Sequence, residues 1–453
     1  MRRNALSRLA FAISILAFTS ACGGGGSGGG SSSGGTITPS PTPTATPSPS
    51  STTFAAVAVG GFVTDVGFDA NNDGLTSADP RTATALSGEF GRDVPVASLG
   101  QVFGTIPTGP TTRLEAVFGI DLTTGFVFSQ LAAPRGATVV TPLTTLIDAQ
   151  GSESAVRSAL GLAAGADALS PGVNPLTFNP VPGRRSSDPA IVQDAARLTA
   201  VNIQLLALAS VAKNTSGDPI DFNATLAESS RFLAEVITAT GNGRLSDKAV
   251  VLAVLQKMRA AIGFPPAALD AVATLFAKYA AAMPTRIADD ATARAWAYAF
   301  RFVIFADIRT LLSSYPNPAE TRIAAITPAD IQQSAQFFIA APAPTIAPFV
   351  AVPSYLSLNR NSIPPYALTL TNCAPPGPLP SCNDYELFRG VSGTAKVVSV
   401  TTGNAAAIAV TVASDGTVAL SRVGGFTGRT FFTYTARTSA GLEATGTTFV
   451  RVE

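Results

Sequence analysis

The sequence VTPLTTLI occupies residues 140–147, where a segment rich in turn signals gives way to one with helical spacing. Pro142 fixes its own φ near the value of a first helical turn, so the run predicts a turn that leads into a helix. Leu143, Leu146 and Ile147 then share one face of that helix, because residues three or four positions apart are neighbours on a helix surface. We interpret the run as core packing at a junction between two domains.

The segment that ends with this helix, residues 53–150, is rich in Val, Phe, Thr and Gly. Turn signals interrupt it at short intervals, which is typical of short strands. We therefore predict a small, β-sandwich-like N-terminal domain.

Within that domain, residues 69–74 read DANNDG. Side-chain oxygens at alternate positions followed by Gly are typical of the first half of an EF-hand calcium loop. Pro80 stands where that loop has its bidentate Glu, with Asp79 one place earlier. A polar Asn-Asp-Gly hairpin turn is the alternative interpretation, and both remain open. The candidate calcium ligands are Asp69, Asn71, Asp73, Leu75 and Asp79.

Residues 151–341 are rich in Ala and Leu at helical spacing, which predicts a helical bundle of five to seven helices. Asp188 and Pro189 indicate a helix start, as an N-cap followed by Pro in the first turn. Further helices are predicted at 226–240, 246–262, 266–282, 289–313 and 328–339. An apolar stripe within the bundle could line a lipid or ligand pocket, although core packing is the favoured interpretation. The stripe consists of Trp296, Phe300, Val303 and Ile304.

The last segment, residues 342–453, opens with a Pro-rich hinge and continues with alternating hydrophobic residues that predict a β-sandwich. Residues 414–417, SDGT, predict a hairpin turn between two of its strands. Cys373 and Cys382 flank a Pro-rich loop, and in an oxidising compartment we predict a disulfide that stabilises the loop by about 2–4 kcal/mol. A redox pair is the less favoured alternative, because the spacing is not Cys-x-x-Cys.

The charge and histidine content of the chain exclude several classes of function. The net charge of the 453 residues is +1 and only 13% of them are charged, so no basic field is available for nucleic acid. The chain contains no His, which excludes the Ser-His-Asp and Cys-His arrangements and His metal ligands. We therefore predict that the protein is not an enzyme; a hydrolase with a carboxylate pair is a remote alternative.

The N-terminus has a basic start at Arg2, Arg3 and Arg8, then a predominantly apolar segment of ten residues at 9–18, then small residues before Cys22. The apolar run is too short to span a bilayer, which takes about 20 residues. This pattern resembles a bacterial lipoprotein signal, although Thr19 stands where that family usually has Leu. The resemblance implies a signal peptide over residues 1–21, a covalent lipid on Cys22, and passage to the outer membrane. An ordinary secretory peptide cut before Cys22 is the alternative.

Residues 22–52 are rich in Gly and Ser and then in Ser, Thr and Pro. Such a composition cannot bury apolar surface, so we predict a disordered linker that spans roughly 30 Å root-mean-square.

Two further resemblances concern the segments behind this linker. Residues 69–90 and 119–147, above all TPLTTL at 141–146, resemble segments of bacterial surface and adhesin-like proteins. Residues 428–452 resemble the closing strands of bacterial cadherin-like and immunoglobulin-like modules. Both resemblances imply display outside the cell.

Taken together, these features predict a multidomain α+β protein with a β-rich domain at 53–150, an all-α bundle at 151–341 and an immunoglobulin/cadherin-like sandwich at 342–453. The predicted function is a non-enzymatic, lipid-anchored protein of the cell surface or the periplasmic face of the outer membrane, used for adhesion or envelope scaffolding. Its partners would be the membrane, through the anchor, and a surface protein or glycan. The alternative is a periplasm-facing lipoprotein that binds a lipid or small apolar ligand in its helical bundle.

Overall fold

The computed structural model describes the helical region and the C-terminal sheets most fully. Every described residue belongs to one unit, Pro49–Glu453. The described residues are 52–53, 57–58, 63–64, 67–69, 105–106, 114–121, 126–213, 222–262, 266–304, 323–343, 350–351, 353–358, 366–368, 372–373, 388–389 and 395–452.

Helices occupy most of the chain between residues 142 and 339. They are α1 (Pro142–Gln150), α2 (Glu153–Ala159), α3 (Pro180–Gly183), α4 (Pro189–Lys213), α5 (Phe222–Thr240), α6 (Lys248–Ile262), α7 (Pro266–Ala282), α8 (Asp290–Tyr298) and α9 (Pro328–Ile339), and a π-helical segment (Ala299–Ile304) follows α8 directly. The helix predicted at 289–313 therefore starts as expected but changes its pitch at Ala299.

Strands lie on both sides of the helices in the sequence. They are β1 (Thr52–Thr53), β2 (Val57–Ala58), β3 (Val63–Thr64), β4 (Gly67–Asp69), β5 (Thr105–Ile106), β6 (Leu114–Asp121), β7 (Phe126–Ala133), β8 (Val139–Val140), β9 (Val350–Ala351), β10 (Ser354–Leu358), β11 (Tyr366–Leu368), β12 (Asn372–Cys373), β13 (Phe388–Arg389), β14 (Ala395–Thr402), β15 (Ile408–Val412), β16 (Val418–Arg422), β17 (Gly428–Thr438) and β18 (Glu443–Val452). The prediction that the chain combines helical and β structure is confirmed.

Helix α1 begins where the sequence predicts. Thr141 is its N-cap and forms a reciprocal capping box with Thr144, and Pro142 follows in the first turn. Gly151 ends the helix in the left-handed region at φ 73°, and its N–H donates to the carbonyl oxygen of Ile147. The predicted apolar face, Leu143, Leu146 and Ile147, is buried, as expected for core packing.

The threonine side chains of α1 are buried as well, because they form hydrogen bonds to strand β7. The Thr145 hydroxyl accepts a hydrogen bond from the Ala132 N–H at 2.9 Å, and the Thr144 hydroxyl donates to the Ala132 carbonyl oxygen at 2.9 Å. On the other side, Asn202 of α4 accepts from the Leu143 N–H at 3.0 Å. Helix α1 thus lies between the antiparallel β6–β7 pair and the long helix α4.

One hydrophobic cluster runs through the helices. It contains Trp296, Phe300 and Val303 of the predicted stripe, with ring centroids of Trp296 and Phe300 6.4 Å apart. Core packing is confirmed for these three residues; the side chain of Ile304 lies outside the description. The π-helical segment buries Phe300 toward α7 and Phe302 toward the C-terminal sheet, so it is apolar on two sides.

The C-terminal strands form two larger sheets. One has the order β10-β18-β17-β14, in which β10 and β18 are parallel and the other pairs antiparallel; the other is the antiparallel sheet β11-β16-β15. A shared hydrophobic cluster includes Ile408 and Leu420 from the second sheet and Phe432 and Val450 from the first. The predicted hairpin turn is confirmed: β15 and β16 pair around it, and Gly416 adopts φ +93°.

Helices and C-terminal sheet meet in a set of aromatic rings that we call the aromatic junction. Phe449 of β18 lies at its centre, 4.8 Å from the ring centroid of Phe338 in α9. Arg429 at the start of β17 also donates a hydrogen bond to Ser334 of α9 at 2.5 Å. The junction consists of Tyr298, Phe302, Phe337, Phe338, Phe431 and Phe449.

Any side chain larger than that of Gly446 on β18 is expected to destabilise the fold because of the residue opposite it on β17. It lies directly opposite Tyr434, whose buried ring covers it, and burial raises the pKa of Tyr434 well above its ordinary value. A Cβ at position 446 would overlap the Tyr434 hydroxyl and ring. We expect Gly446→Ala to lower the free energy of unfolding by about 1–3 kcal/mol in urea denaturation.

Gly425→Ala is the matched control, since nothing lies within 4 Å of its Cβ position and its φ is not in the left-handed region. That variant should stay within about 0.5 kcal/mol of the wild type. Equal stabilities of the two variants would show that the Tyr434 ring can accommodate a Cβ at position 446 without cost.

Candidate functional site

The residues singled out for calcium, lipid and disulfide chemistry are only partly described. Asp69 is the last residue of β4, where its backbone pairs with Glu115 of β6. Asn71, Asp73, Leu75 and Asp79 lie outside the described residues. No group of three or more Asp, Glu, Cys or His close enough to hold a metal occurs in the described part of the chain. Calcium binding stays a prediction.

The residues of the cysteine predictions are also only partly described. Cys373 is part of β12, whereas Cys382 and Cys22 lie outside the described ranges, together with the predicted signal and the Gly/Ser-rich linker. Across the ranges that the structure does describe, no helix combines the length and hydrophobicity needed to cross a bilayer.

The helical region contains a cavity of about 360 Å³. Four parts of the chain enclose it: the loop after α2, the middle of α4, the loop before α6, and the end of α7 with the residues that follow. Its charged lining residues are Arg197, Arg244 and Asp167. We call it the arginine cavity.

Arg197 reaches the cavity from α4 and is held by backbone oxygens. Its Nε donates to the Asp167 carbonyl oxygen at 3.2 Å, and its Nη1 donates to the Thr285 carbonyl oxygen at 3.1 Å. The side chain is only 12% exposed. Its Nη2 lies 3.9 Å from the Asp167 carboxylate, which is an ion pair without a hydrogen bond.

Asp167 is shared between two cations. Arg286, just outside the lining, places its Nη1 3.8 Å from the other Asp167 carboxylate oxygen. Burial lowers the pKa of Arg197 below its ordinary value; the Asp167 carboxylate opposes this effect, and the positive charges of Arg286 and Arg244 add to it. The arrangement therefore carries an excess of positive charge around Arg197.

Arg244 comes from the loop before α6 and lies against Gly161. A Cβ at position 161 would be 2.9 Å from the Arg244 Nη2 and 3.4 Å from its Cζ, so a larger residue there would displace the guanidinium from its present position. Gly161 also ends α2 in the left-handed region at φ +72°, which favours glycine for a second reason. In the described part of the chain, the Arg244 guanidinium forms no hydrogen bond and no ion pair.

Backbone contacts fix the loops that carry these groups. The Leu169 N–H donates to the Leu162 carbonyl oxygen at 3.0 Å, and both side chains are buried, which closes the loop that bears Asp167. The Ile287 N–H donates to the Ala196 carbonyl oxygen at 3.0 Å and ties the segment after α7 to α4. These backbone contacts hold the cavity walls together with the hydrogen bonds that Arg197 donates to the Asp167 and Thr285 carbonyl oxygens.

The remaining lining combines apolar and polar side chains. Aliphatic or thioether surface comes from Leu160, Val201, Leu205, Leu245 and Met283, and polar groups come from Gln204, Ser246 and Thr285. The volume lies within the range of small-molecule sites, about 300–1,000 Å³. Guanidinium groups recognise carboxylate and phosphate oxygens through paired N–H donors. The cavity could therefore hold a small molecule with an anionic end and a carbon portion.

Sequence reasoning missed this cavity. Its charged residues stand at positions 167, 197 and 244, far apart in the chain, and form no spacing pattern. One local signal existed: Arg197 lies within a long, Ala- and Leu-rich helix, α4, in a chain with few charges. An arginine in such a place needs an acceptor or a cavity.

A second charged cluster has a structural role. Arg184, with a side chain 4% exposed, binds Asp290 and donates to the Thr199 hydroxyl at 2.8 Å, while Arg185 donates to Asp290 at 2.8 Å. Burial raises the pKa of Asp290, but the charge of Arg184 and hydrogen bonds from both arginines leave it below its ordinary value. These contacts join the residues after α3 to the start of α8.

No protein-family model matches the chain, and neither a curated protein nor a solved structure is significantly similar to it.

Proposed function

We propose that the chain is a non-enzymatic, lipid-anchored protein of the cell envelope, used for surface adhesion or envelope scaffolding. Cys22 would carry the lipid, and residues 22–52 would act as the spacer between membrane and folded body. The observation that supports this proposal best is the aromatic junction, which joins the helices to the C-terminal sheet through one continuous core. A body of this kind holds a binding surface at a fixed position relative to its tether.

The finer architecture is part of the same proposal. We propose that the two C-terminal sheets form an immunoglobulin/cadherin-like sandwich and that the strands before α1 belong to a small β-sandwich. Support for the first comes from the hydrophobic cluster that the two sheets share. Calcium at Asp69 to Asp79 and a disulfide between Cys373 and Cys382 would stabilise the two β regions. A calcium titration with Asp73→Ala and a free-thiol assay on native protein test these two points.

The anchor is tested by mass spectrometry of the mature N-terminus. We expect a chain that begins at acylated Cys22, and we expect Cys22→Ser to move the protein from the membrane fraction to the soluble fraction. A mature chain that begins at an unmodified Cys22 would show an ordinary secretory signal and contradict the anchor.

Protease added to intact cells tests the orientation. If the protein serves adhesion at the surface, the folded body should be degraded while periplasmic marker proteins survive. Complete protection until the outer membrane is opened would contradict surface adhesion and leave scaffolding on the periplasmic face.

A second function is favoured by the arginine cavity. We propose as the alternative that the protein is a periplasm-facing lipoprotein that holds a small ligand in its helical region. The cavity of about 360 Å³ has the size that such a ligand needs. Protection from external protease, together with ligand binding by the purified chain, would support this alternative over adhesion.

A further inference from the structure

The arginine cavity has more cationic than anionic groups. Arg197 and Arg244 line it against the single carboxylate of Asp167, and that carboxylate is also shared with Arg286. Neither Arg197 nor Arg286 hydrogen-bonds to this carboxylate, since the closest nitrogen–oxygen distances are 3.9 and 3.8 Å, respectively. An additional anion in the cavity would balance the charge.

Donor groups for such an anion are available. Arg197 uses its Nε and Nη1 for backbone oxygens, whereas its Nη2 forms no hydrogen bond in the described part of the chain. The guanidinium N–H groups of Arg244 are likewise without an acceptor there, whereas its backbone N–H donates to the Asn242 side-chain oxygen at 3.0 Å. The Arg244 guanidinium lies against Gly161 at the end of an exposed side chain. One guanidinium group held by backbone oxygens and a second with its donors available suit an oxyanion.

The shape of the site adds a second requirement on the ligand. A bare oxyanion would fill only part of a cavity of about 360 Å³. Part of the rest faces Val201, Leu205 and Met283, whose surfaces favour hydrocarbon over charged groups. The ligand should therefore combine one anionic end with an aliphatic portion.

We propose that the arginine cavity binds a small organic anion whose carboxylate or phosphate lies between Arg197 and Arg244 and whose carbon portion contacts the apolar wall. This inference rests on the ligand-binding alternative and changes its ligand from an apolar molecule to an anionic amphiphile. It does not depend on lipid-anchored adhesion or scaffolding.

Titration with three six-carbon probes tests the inference. The full chain carrying Cys22→Ser, which is free of acyl chains, is titrated with hexanoate, hexyl phosphate and hexan-1-ol by calorimetry and by thermal melting at constant ionic strength. We expect saturable binding and a raised melting temperature with hexanoate or hexyl phosphate, and no change with hexan-1-ol. Equal binding of hexan-1-ol would overturn the anionic part and leave an apolar ligand site.

Arg244→Gln is the test variant, because the side chain is exposed and its loss breaks no described hydrogen bond or ion pair. We expect it to melt like the wild type without ligand and to bind the anionic probe about tenfold more weakly or worse. Arg135→Gln is the matched control, an exposed arginine outside the cavity, and should bind normally. Unchanged affinity in Arg244→Gln would overturn the proposal.

Absence of binding by all three probes would overturn both the inference and the ligand-binding alternative. An N-terminal mass without acyl chains would contradict the lipid anchor, and protection from protease on intact cells would contradict surface exposure. Neither result bears on ligand binding in the arginine cavity.

Discussion

Replacing Phe449 by Ala should lower the free energy of unfolding by about 3–5 kcal/mol, the largest effect that we expect from one substitution in this protein. Phe449 is fully buried and its ring centroid lies 4.8 Å from that of Phe338, 5.4 Å from Tyr298 and 5.7 Å from Phe302. Alanine would leave a cavity among rings that come from three different elements. Those elements are held by the rest of the fold and cannot collapse to fill it.

Trp296 fluorescence shows whether the Phe449→Ala substitution also destabilises the helical region. It is the only tryptophan of the chain and it lies in α8, whereas Phe449 lies in the C-terminal sheet. If the aromatic junction couples the two regions, Phe449→Ala should shift the urea midpoint reported by Trp296 fluorescence. A shift confined to far-ultraviolet signals of the β region, with Trp296 unchanged, would show that the helices unfold independently.

Phe426→Ala is the control for this measurement. Phe426 is only half-buried and packs on the cluster between the two C-terminal sheets, away from the junction. The same atoms are removed, so a smaller loss of stability and a smaller shift of the Trp296 midpoint are expected. Equal effects of the two variants would contradict a special role for the junction.

The double variant Thr144→Val/Thr145→Val should lower the free energy of unfolding by about 1–3 kcal/mol for each buried N–H that it leaves without an acceptor. Thr145 accepts from the Ala132 N–H at 2.9 Å, and Thr144 accepts from the Thr141 N–H at 2.8 Å. Both threonines are buried, so water cannot replace the lost acceptors. Valine keeps the side-chain shape, which makes the change a test of hydrogen bonding rather than of packing.

Thr274→Val is the matched control for the threonine pair. Its hydroxyl donates to the Asp270 carbonyl oxygen at 2.8 Å within α7 and accepts from no buried N–H. Urea denaturation should place this control within about 0.5 kcal/mol of the wild type. If the double variant were equally stable, the hydroxyl contacts between α1 and β7 would contribute nothing measurable.

Local signals explain why much of the secondary structure could be predicted. The start of α4 depends on Asp188 and Pro189, which are adjacent, and the Asp188 carboxylate accepts from the Ala190 N–H at 2.8 Å. The hairpin at residues 414–417 likewise depends on neighbours within one turn. Capping and turn chemistry act over four residues or fewer, so the printed sequence contains all of the information needed.

The site could not be predicted in this way. Arg197, Arg244 and Asp167 lie on separate elements, and only the packing of α4, α6 and α7 brings them to one cavity. Phe449 gives a similar lesson: along β18 it alternates with Thr447 and Arg451, a polar pattern that indicates a solvent-facing side, yet it is fully buried because helices cover that side of the sheet.

Local sequence was sufficient to place several helix starts and one hairpin, to exclude His-dependent chemistry, and to show that the N-terminus resembles a lipoprotein signal. Tertiary structure alone decided that the helices and the C-terminal sheet share a core and that an arginine-lined cavity exists. The physical reason is range: caps, turns and periodicity depend on neighbouring residues, whereas burial and charge balance depend on groups that are distant in the chain and meet only on folding.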